Sequence, residues 1–269
     1  MRRKLFRWVK VAVLLYCIAG IALYYLQNVF LFHPVPLSSD YRYQFSVPFE
    51  EGEVALNKTD TFSFVKFFPK GTSPKGIVLY FHGNRTNINR YAKFADVFTS
   101  QNYEVWMGDY PGFGKSTGER TEKLMYEQAV QFYRLATSKF GKDSIILYGK
   151  SLGTGFAAYL ASREDCRQLI LETPYYSIPD IFACYAPVYP VSRMINFKVP
   201  TYQYLRDVKA PVTIFHGTGD GVIPYRCAEK LKGSLKPVDQ FITVDKGSHH
   251  DLGSFTLYKK TMDSLLRIP

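Results

Sequence analysis

Cysteine is scarce, with four in 269 residues. Cys17 lies inside an apolar run, and Cys166, Cys184 and Cys227 are scattered without the close spacing of a metal site. Those three thiols could form one disulfide at most, so neither an oxidising nor a reducing compartment is excluded. A Walker pattern and a dinucleotide-binding glycine pattern are also missing, which leaves no sequence ground for nucleotide chemistry. There is no internal repeat and no low-complexity segment. Acidic residues are the minority, 23 against 34 Lys and Arg, for a formal charge of +11. Such a balance could suit nucleic acid, but Arg2, Arg3, Lys4, Arg7 and Lys10 place five positive charges in the first ten residues. Much of the excess therefore has a membrane explanation, and no nucleic-acid partner is expected. What the chain has in quantity is material for a core: 46% hydrophobic and 16% aromatic residues, at a length that suits one large domain or two small ones.

Behind the basic cluster comes an apolar and aromatic run, Val11 to Leu26, which resumes after Gln27 and Asn28 as Val29 to Phe32. A bilayer core needs about 20 mostly apolar residues, so residues 1–32 are read as a basic amino terminus and a transmembrane anchor. A cleaved signal peptide with Gly20 and Ala22 at its cleavage site is the second reading. It is disfavoured because Leu23, Tyr24, Tyr25 and Leu26 continue the run with aromatics that suit a membrane interface. The bulky Tyr16 argues against lipidation at Cys17. By the positive-inside rule the amino terminus stays cytoplasmic and the following domain lies on the opposite side.

Residues 33–42, beginning His33-Pro34-Val35-Pro36, read as a short stiff linker, and 43–269 as the catalytic domain. Glu53 to Leu56 and Thr61 to Phe68 form an expected pair of strands around the turn Asn57 to Asp60. Apolar runs then follow at Gly76–Phe81, Glu104–Met107, Ser144–Tyr148, Gln168–Leu171, Pro211–Phe215 and Gln240–Val244. Between them Asn89–Ser100, Thr121–Lys139, Leu152–Ala161, Tyr225–Leu231 and Gly253–Leu266 have helical length or periodicity. This alternation predicts an α/β fold, a mostly parallel sheet flanked by helices. One connection, about 175–208, is too long for the rhythm and rich in aromatics and prolines. It is read as a lid at the carboxyl edge of the sheet, with some aromatics lining a pocket and most packing on one another.

The stretch Gly149-Lys150-Ser151-Leu152-Gly153 sits between an apolar run and a helical one. Ser151 there reads as a nucleophile on a strained strand-to-helix turn. Ligands in an open parallel sheet bind beyond the carboxyl ends of the strands, and polar loops occur at those ends. His82-Gly83-Asn84 could give one oxyanion donor from the amide of Asn84, the second coming from the amide of Leu152. The side chain of His82 and the turn residue Asp109 are read as holding their loops. Asp220, in a Gly-rich turn, follows the nucleophile, and Asp245, His249, His250 and Asp251 follow the last strand. The order Ser, Asp, His is the one expected on such a sheet.

The loops Phe81-His82-Gly83-Asn84, Asp109-Tyr110-Pro111-Gly112-Phe113-Gly114, Gly149-Lys150-Ser151-Leu152-Gly153, Gly217-Thr218-Gly219-Asp220 and Gly247-Ser248-His249 resemble those of α/β-hydrolase serine hydrolases. The likeness is greatest to a membrane-anchored branch made of one amino-terminal helix, a proline-containing connection and a hydrolase domain. It implies an α/β-hydrolase fold with Ser151 as nucleophile, Asp220 as acid and His249 as base. Members of that branch tend to have Asn after the His, whereas His250 stands there in this chain, so the base is open between the two neighbours. Asp245 and Asp251 are the alternatives for orienting the ring.

The expected chemistry is ester or thioester hydrolysis through an acyl-enzyme, with no metal and no organic cofactor. A Ser at the elbow, rather than an Asp, argues against dehalogenase and epoxide hydrolase chemistry. The anchor and the aromatic lid favour lipophilic acyl groups, with lysophospholipids, monoacylglycerols and acylated proteins as candidate substrates. A serine peptidase or amidase is the alternative, and a non-catalytic membrane interaction protein the third reading.

Overall fold

The computed structural model describes residues 2–71 and 73–267. Met1, which opens the expected anchor, and 268–269, which close the expected domain, lie outside them. The strands are β1 (His33–Pro34), β2 (Phe49–Ala55), β3 (Thr61–Phe67), β4 (Gly76–Phe81) and β5 (Arg85–Thr86). They are followed by β6 (Tyr103–Gly108), β7 (Ile145–Lys150), β8 (Gln168–Glu172), β9 (Val212–Gly217) and β10 (Gln240–Val244). Eight of them form one sheet in the order β10-β9-β8-β7-β4-β6-β3-β2, antiparallel only where β3 meets β2 and β6.

The central strands are buried on both faces because helices cover both. In β4, Ile77, Leu79 and Phe81 face one core and Val78 and Tyr80 the other. The first core includes Phe132 and Ala157, from the helices Glu122–Thr137 and Gly153–Ala161. The second holds Phe98, Tyr258 and Met262. The chain leaves β4 toward β6 on one side and returns to β7 on the other, which puts a topological switch between β4 and β7. A crevice opens at such a point beyond the strand ends.

Three expected elements differ in detail. β2 starts at Phe49, because its pairing with β3 runs on to Phe49↔Phe67. The helix expected at 89–100 is broken into Ile88–Tyr91, a 3₁₀ turn Ala92–Phe94 and Asp96–Thr99. Its buried residues Ile88, Tyr91, Ala95 and Phe98 remain three or four apart on the face toward the sheet. The helix expected at 225–231 is one α-turn, Tyr225–Ala228, followed by the 3₁₀ segment Glu229–Ser234.

At the amino end, α1 (Arg2–Tyr25) has 24 residues with no buried residue. By length and composition it is long and apolar enough to cross a membrane. At 1.5 Å per residue it is about 36 Å long. A bend at Leu26 leads into α2 (Gln27–Leu31), whose end reaches the body of the protein. There β1 pairs in parallel with β5, and the amide of His33 donates to the carbonyl of Asn84 at 2.9 Å.

The stretch 175–208 folds as three short helices, Ile178–Tyr185, Val191–Met194 and Thr201–Asp207. Ser177 caps the first, its Oγ accepting from the amide of Asp180 at 3.2 Å, with Pro179 in the first turn. A disulfide joins Cys184 of this helix to Cys227 in Tyr225–Ala228.

Candidate active site

Strand β7 ends at Lys150 and the next helix begins at Gly153, which leaves two residues for the turn. Ser151 takes the strain with φ +51°, a left-handed conformation uncommon for a residue with a Cβ. Gly149 and Gly153 let the flanking backbones meet. A Cβ on Gly153 would lie 2.0 Å from the carbonyl oxygen of Phe81, and one on Gly149 2.6 Å from Cα of Thr154. The turn is further held by the Ser151 amide, which donates to the carbonyl of Glu172 at 2.9 Å.

His249 reaches this serine from the loop after β10. Its Nε2 lies 2.9 Å from Ser151 Oγ, and its Nδ1 lies 2.8 Å from Asp220 Oδ2. The other oxygen of Asp220 accepts from the amides of Val222 and Ile223, both at 2.8 Å. Burial pushes the Asp220 carboxyl up, but His249, the Ile223 amide and His216 outweigh that and hold it below the usual aspartate value. All three side chains are buried, Ser151 being the most exposed at 9%.

The alternatives considered for this loop lie elsewhere. His250 is exposed and packs edge-on against His249, with ring centroids 5.0 Å apart. Asp251 accepts from the Ser248 amide at 2.7 Å, and Asp245 from the Thr218 hydroxyl at 3.1 Å. Asp109 is fully buried beneath the β4 loop, against His82 Nε2 at 3.2 Å and accepting from the Ile88 amide at 3.0 Å. Burial raises its carboxyl, opposed by His82, the Ile88 amide and Tyr43. With Tyr110, whose hydroxyl donates to the carbonyl of His82 at 2.8 Å, this cluster fixes the segment that presents Asn84.

Asn84 and Leu152 both line the cavity that holds Ser151. Among the described residues neither amide donates to another protein group. The Asn84 side chain is occupied, donating from Nδ2 to the carbonyl of Leu31 at 2.8 Å.

Sequence reasoning missed two parts of the surroundings. The first is a buried ion pair beside the elbow: Lys150, between Gly149 and Ser151, bonds Glu172 across the β7–β8 register. Glu172 also accepts from the hydroxyls of Tyr148 and Tyr258. Burial would raise that carboxyl, but the Lys150 ammonium and these bonds leave it below its ordinary value. A lysine at the end of an otherwise apolar strand was the available signal. The second is the wall of the cavity. About 500 Å³ of mainly apolar space runs from Ser151 between Ile178, Ile181 and Phe182 of the stretch 175–208 and Leu23, Phe30 and Leu31 of the amino-terminal helices. A larger groove, about 680 Å³ between Glu122, Arg134 and Tyr159, contains none of the site residues.

For a metal, the described residues offer Asp180, Cys184 and Cys227, with ligand-type atoms within 4.8 Å of one another. The two sulfurs are bonded to each other, so the thiolates a metal would need are not free.

A family described as serine aminopeptidase, S33, matches residues 72–205. The α/β hydrolase domain-containing protein aho-3 of Caenorhabditis elegans is 30% identical over 198 residues, 70% of this chain and 57% of that protein. The human α/β hydrolase domain-containing protein 17C is 26% identical over 211 residues, 76% of this chain and 60% of the other. The chain thus spans about three-fifths of the length of these relatives. An esterase of Pyrococcus furiosus superposes with a TM-score of 0.66 at 15% identity, over 88% of this chain and 97% of that one. The chain has the α/β-hydrolase fold. In this fold the serine, the carboxylate and the imidazole come from the ends of β7, β9 and β10, as the topology requires.

Proposed function

We propose that this α/β-hydrolase is a membrane-anchored serine hydrolase that cleaves carboxylic esters or thioesters of lipophilic acyl groups. The observation that carries the reading is the unbroken contact Ser151–His249–Asp220, at 2.9 and 2.8 Å, opening onto an apolar cavity. His249 takes the proton of Ser151, whose oxygen attacks the acyl carbonyl. The amides of Asn84 and Leu152 receive the oxyanion, and Asp220 orients the ring and stabilises its charged form. The alcohol or thiol leaves with the proton from His249, and water resolves the acyl-enzyme by the same steps.

A bilayer location suits α1 and the basic residues of its first turns, with the amino terminus cytoplasmic and the domain, 43–269, on the opposite side. The Cys184–Cys227 disulfide supports that side, because disulfides persist in oxidising compartments.

The alternative, a peptidase or amidase on the same residues, draws on the description of the matching family. An aminopeptidase must bind a free ammonium. The spaces that open on Ser151 are lined by Arg85, Arg90 and Lys93 and, among the described residues, by no carboxylate. Ester chemistry is therefore preferred.

The test uses the full chain in non-ionic detergent, with fluorophosphonate labelling and chromogenic esters of increasing chain length. Each methylene that enters the cavity is worth about 0.8 kcal/mol, so kcat/KM should rise roughly fourfold per carbon until the cavity is filled. Labelling that persists in Ser151→Ala would refute the nucleophile, and a preference for the shortest esters would refute the lipophilic substrate.

A further inference from the structure

Ser151 lies between two spaces of opposite character. On one side is the apolar cavity between lid and anchor. On the other is a smaller recess of about 190 Å³, which shares Phe30, Asn84, Ser151 and Val222 with the first. An ester bound with its carbonyl carbon at Ser151 and its acyl chain in the cavity must direct its alcohol half into this recess.

The recess is cationic. Arg85, Arg90 and Lys93 line it, and among the described residues none of the three has a carboxylate partner. Lys150 also lines it, but its ammonium is bound to Glu172. The positions of the three free cations are built by the fold. Arg85 is in β5, next to the oxyanion candidate Asn84, and is held by pairing with His33. Arg90 and Lys93 are on the helical segments that start at Asn87, whose side chain accepts from the Asn89 amide. Lys93 Nζ rests 5.1 Å over the ring of Phe94. The field also reaches the neighbouring imidazole: burial, then His249, Lys150 and Arg90, push His250 below the ordinary histidine value. Phe30, of α2, and His33, of β1, line it too, so with α1 in the bilayer as proposed the recess lies on the membrane-proximal side.

We infer that Arg85, Arg90 and Lys93 form an anion subsite for the leaving group, so that the substrate is an acyl ester whose alcohol carries a phosphate, the lysophospholipid class. This rests on the serine hydrolase reading for the reaction, but not for the binding. Guanidinium groups grip phosphate through paired hydrogen bonds, and a lysine adds a point charge. Unpaired cations disfavour an amine in the same place and gain nothing from a neutral glycerol.

Two measurements on the full chain in non-ionic detergent test the subsite. The first is binding to Ser151→Ala of a non-cleavable 1-alkyl-glycerol 3-phosphate against the matching 1-alkyl-glycerol. Charge-assisted bonds predict a preference for the phosphate of about tenfold or more, reduced toward equality by Arg85→Gln, Arg90→Gln and Lys93→Gln combined. The second is hydrolysis by the wild type of 1-acyl-glycerol 3-phosphate against the monoacylglycerol, where kcat/KM should favour the phosphate by the same factor. Equal affinities in the first measurement would overturn the subsite. A binding preference without turnover of any ester would keep the subsite and sink the hydrolase reading. The remaining source of phosphate is the membrane itself. If the triple variant loses association with phosphatidylglycerol vesicles but retains the wild-type preference in detergent, the cations serve the bilayer surface and the proposal falls.

Discussion

Replacing Gly153 with Ala tests whether the close approach of elbow and β4 matters to both stability and turnover. The added Cβ would lie 2.0 Å from the Phe81 oxygen, 2.4 Å from the Phe81 carbon and 2.7 Å from the His82 oxygen. Carbon–oxygen contacts settle at about 3.3 Å or more, so one backbone must retreat by roughly 1.3 Å. Neither can yield by a side-chain rotation, since Phe81 ends a buried central strand and Gly153 opens a buried helix. Overpacking of this kind costs about 1–3 kcal/mol. At roughly 2–4 °C per kcal/mol for a domain of this size, Tm should fall by about 2–12 °C. The strand that must move leads directly to Asn84, and a misplacement of ~1 Å at a reacting centre costs on the order of a hundredfold. The drop should therefore appear in kcat toward a short chromogenic ester, with little change in KM. Gly141→Ala is the control, with φ −62° and no atom within 4 Å of the new methyl; it should be neutral or slightly stabilising. Wild-type Tm and kcat in Gly153→Ala would refute the argument.

His249→Ala should lower kcat by on the order of 10⁴-fold or more, while His250→Ala keeps measurable turnover; the reverse pattern in a chromogenic ester assay would move the base to His250. Phe30 lines the acyl cavity while 54% exposed, so about half of its side chain is available to hold a chain. Phe30→Ala should therefore cost about 1 kcal/mol, roughly fivefold in KM, toward long-chain esters, and leave acetyl esters alone. His216 is held below the usual histidine value, first by burial, so the folded protein binds fewer protons there than the unfolded chain. Its contribution is intact above the unfolded value of about 6.5 and declines as pH falls below it, so urea unfolding at pH 5.5 should show less stability than at pH 7. His216→Gln should flatten that slope.

The order of strands and helices was legible because central strands here are continuous apolar runs and the helices keep their spacing. The candidate nucleophile Ser151 stood out for a related reason: glycines on both sides of a serine at a strand end leave few other uses. The ends of elements were less legible. β7 continues through Gly149 and Lys150, and nothing local to Lys150 announces Glu172, which lies one strand away in the sheet and 22 residues on in sequence. The lid shows the same limit. Its aromatic content was plain, but which rings pack on one another (Tyr176 on Tyr202, centroids 4.2 Å apart) and which line the cavity (Tyr175, Phe182, Tyr185) depends on three short helices. Least legible was β1, two residues in a proline-containing connection, whose partner β5 is equally short.

That short pairing changes what the anchor is. Asn84, the oxyanion candidate, is bonded on both sides by the chain that follows α1: its carbonyl accepts from the His33 amide and its side chain donates to the carbonyl of Leu31. Gln27 bonds the lid, its Oε1 accepting from the Asn196 amide at 2.6 Å. Further along α1, Tyr16 stacks on Tyr189 of the lid at 4.5 Å, and each hydroxyl donates to a carbonyl of the other segment. Tyr16 is nine residues, about 13 Å of helix, before the end of α1. With α1 in the bilayer as proposed, the lid tip beside it lies at the same depth, and the Tyr16 hydroxyl gives the Val188 carbonyl a partner that lipid would not supply. The exposed Val188, 70% accessible, would then meet acyl chains rather than water. An acyl chain could pass from the bilayer along α1 into the cavity without crossing water. The anchor then acts as one wall of the site and one support of its oxyanion loop, and removing it to obtain a soluble enzyme would disturb both.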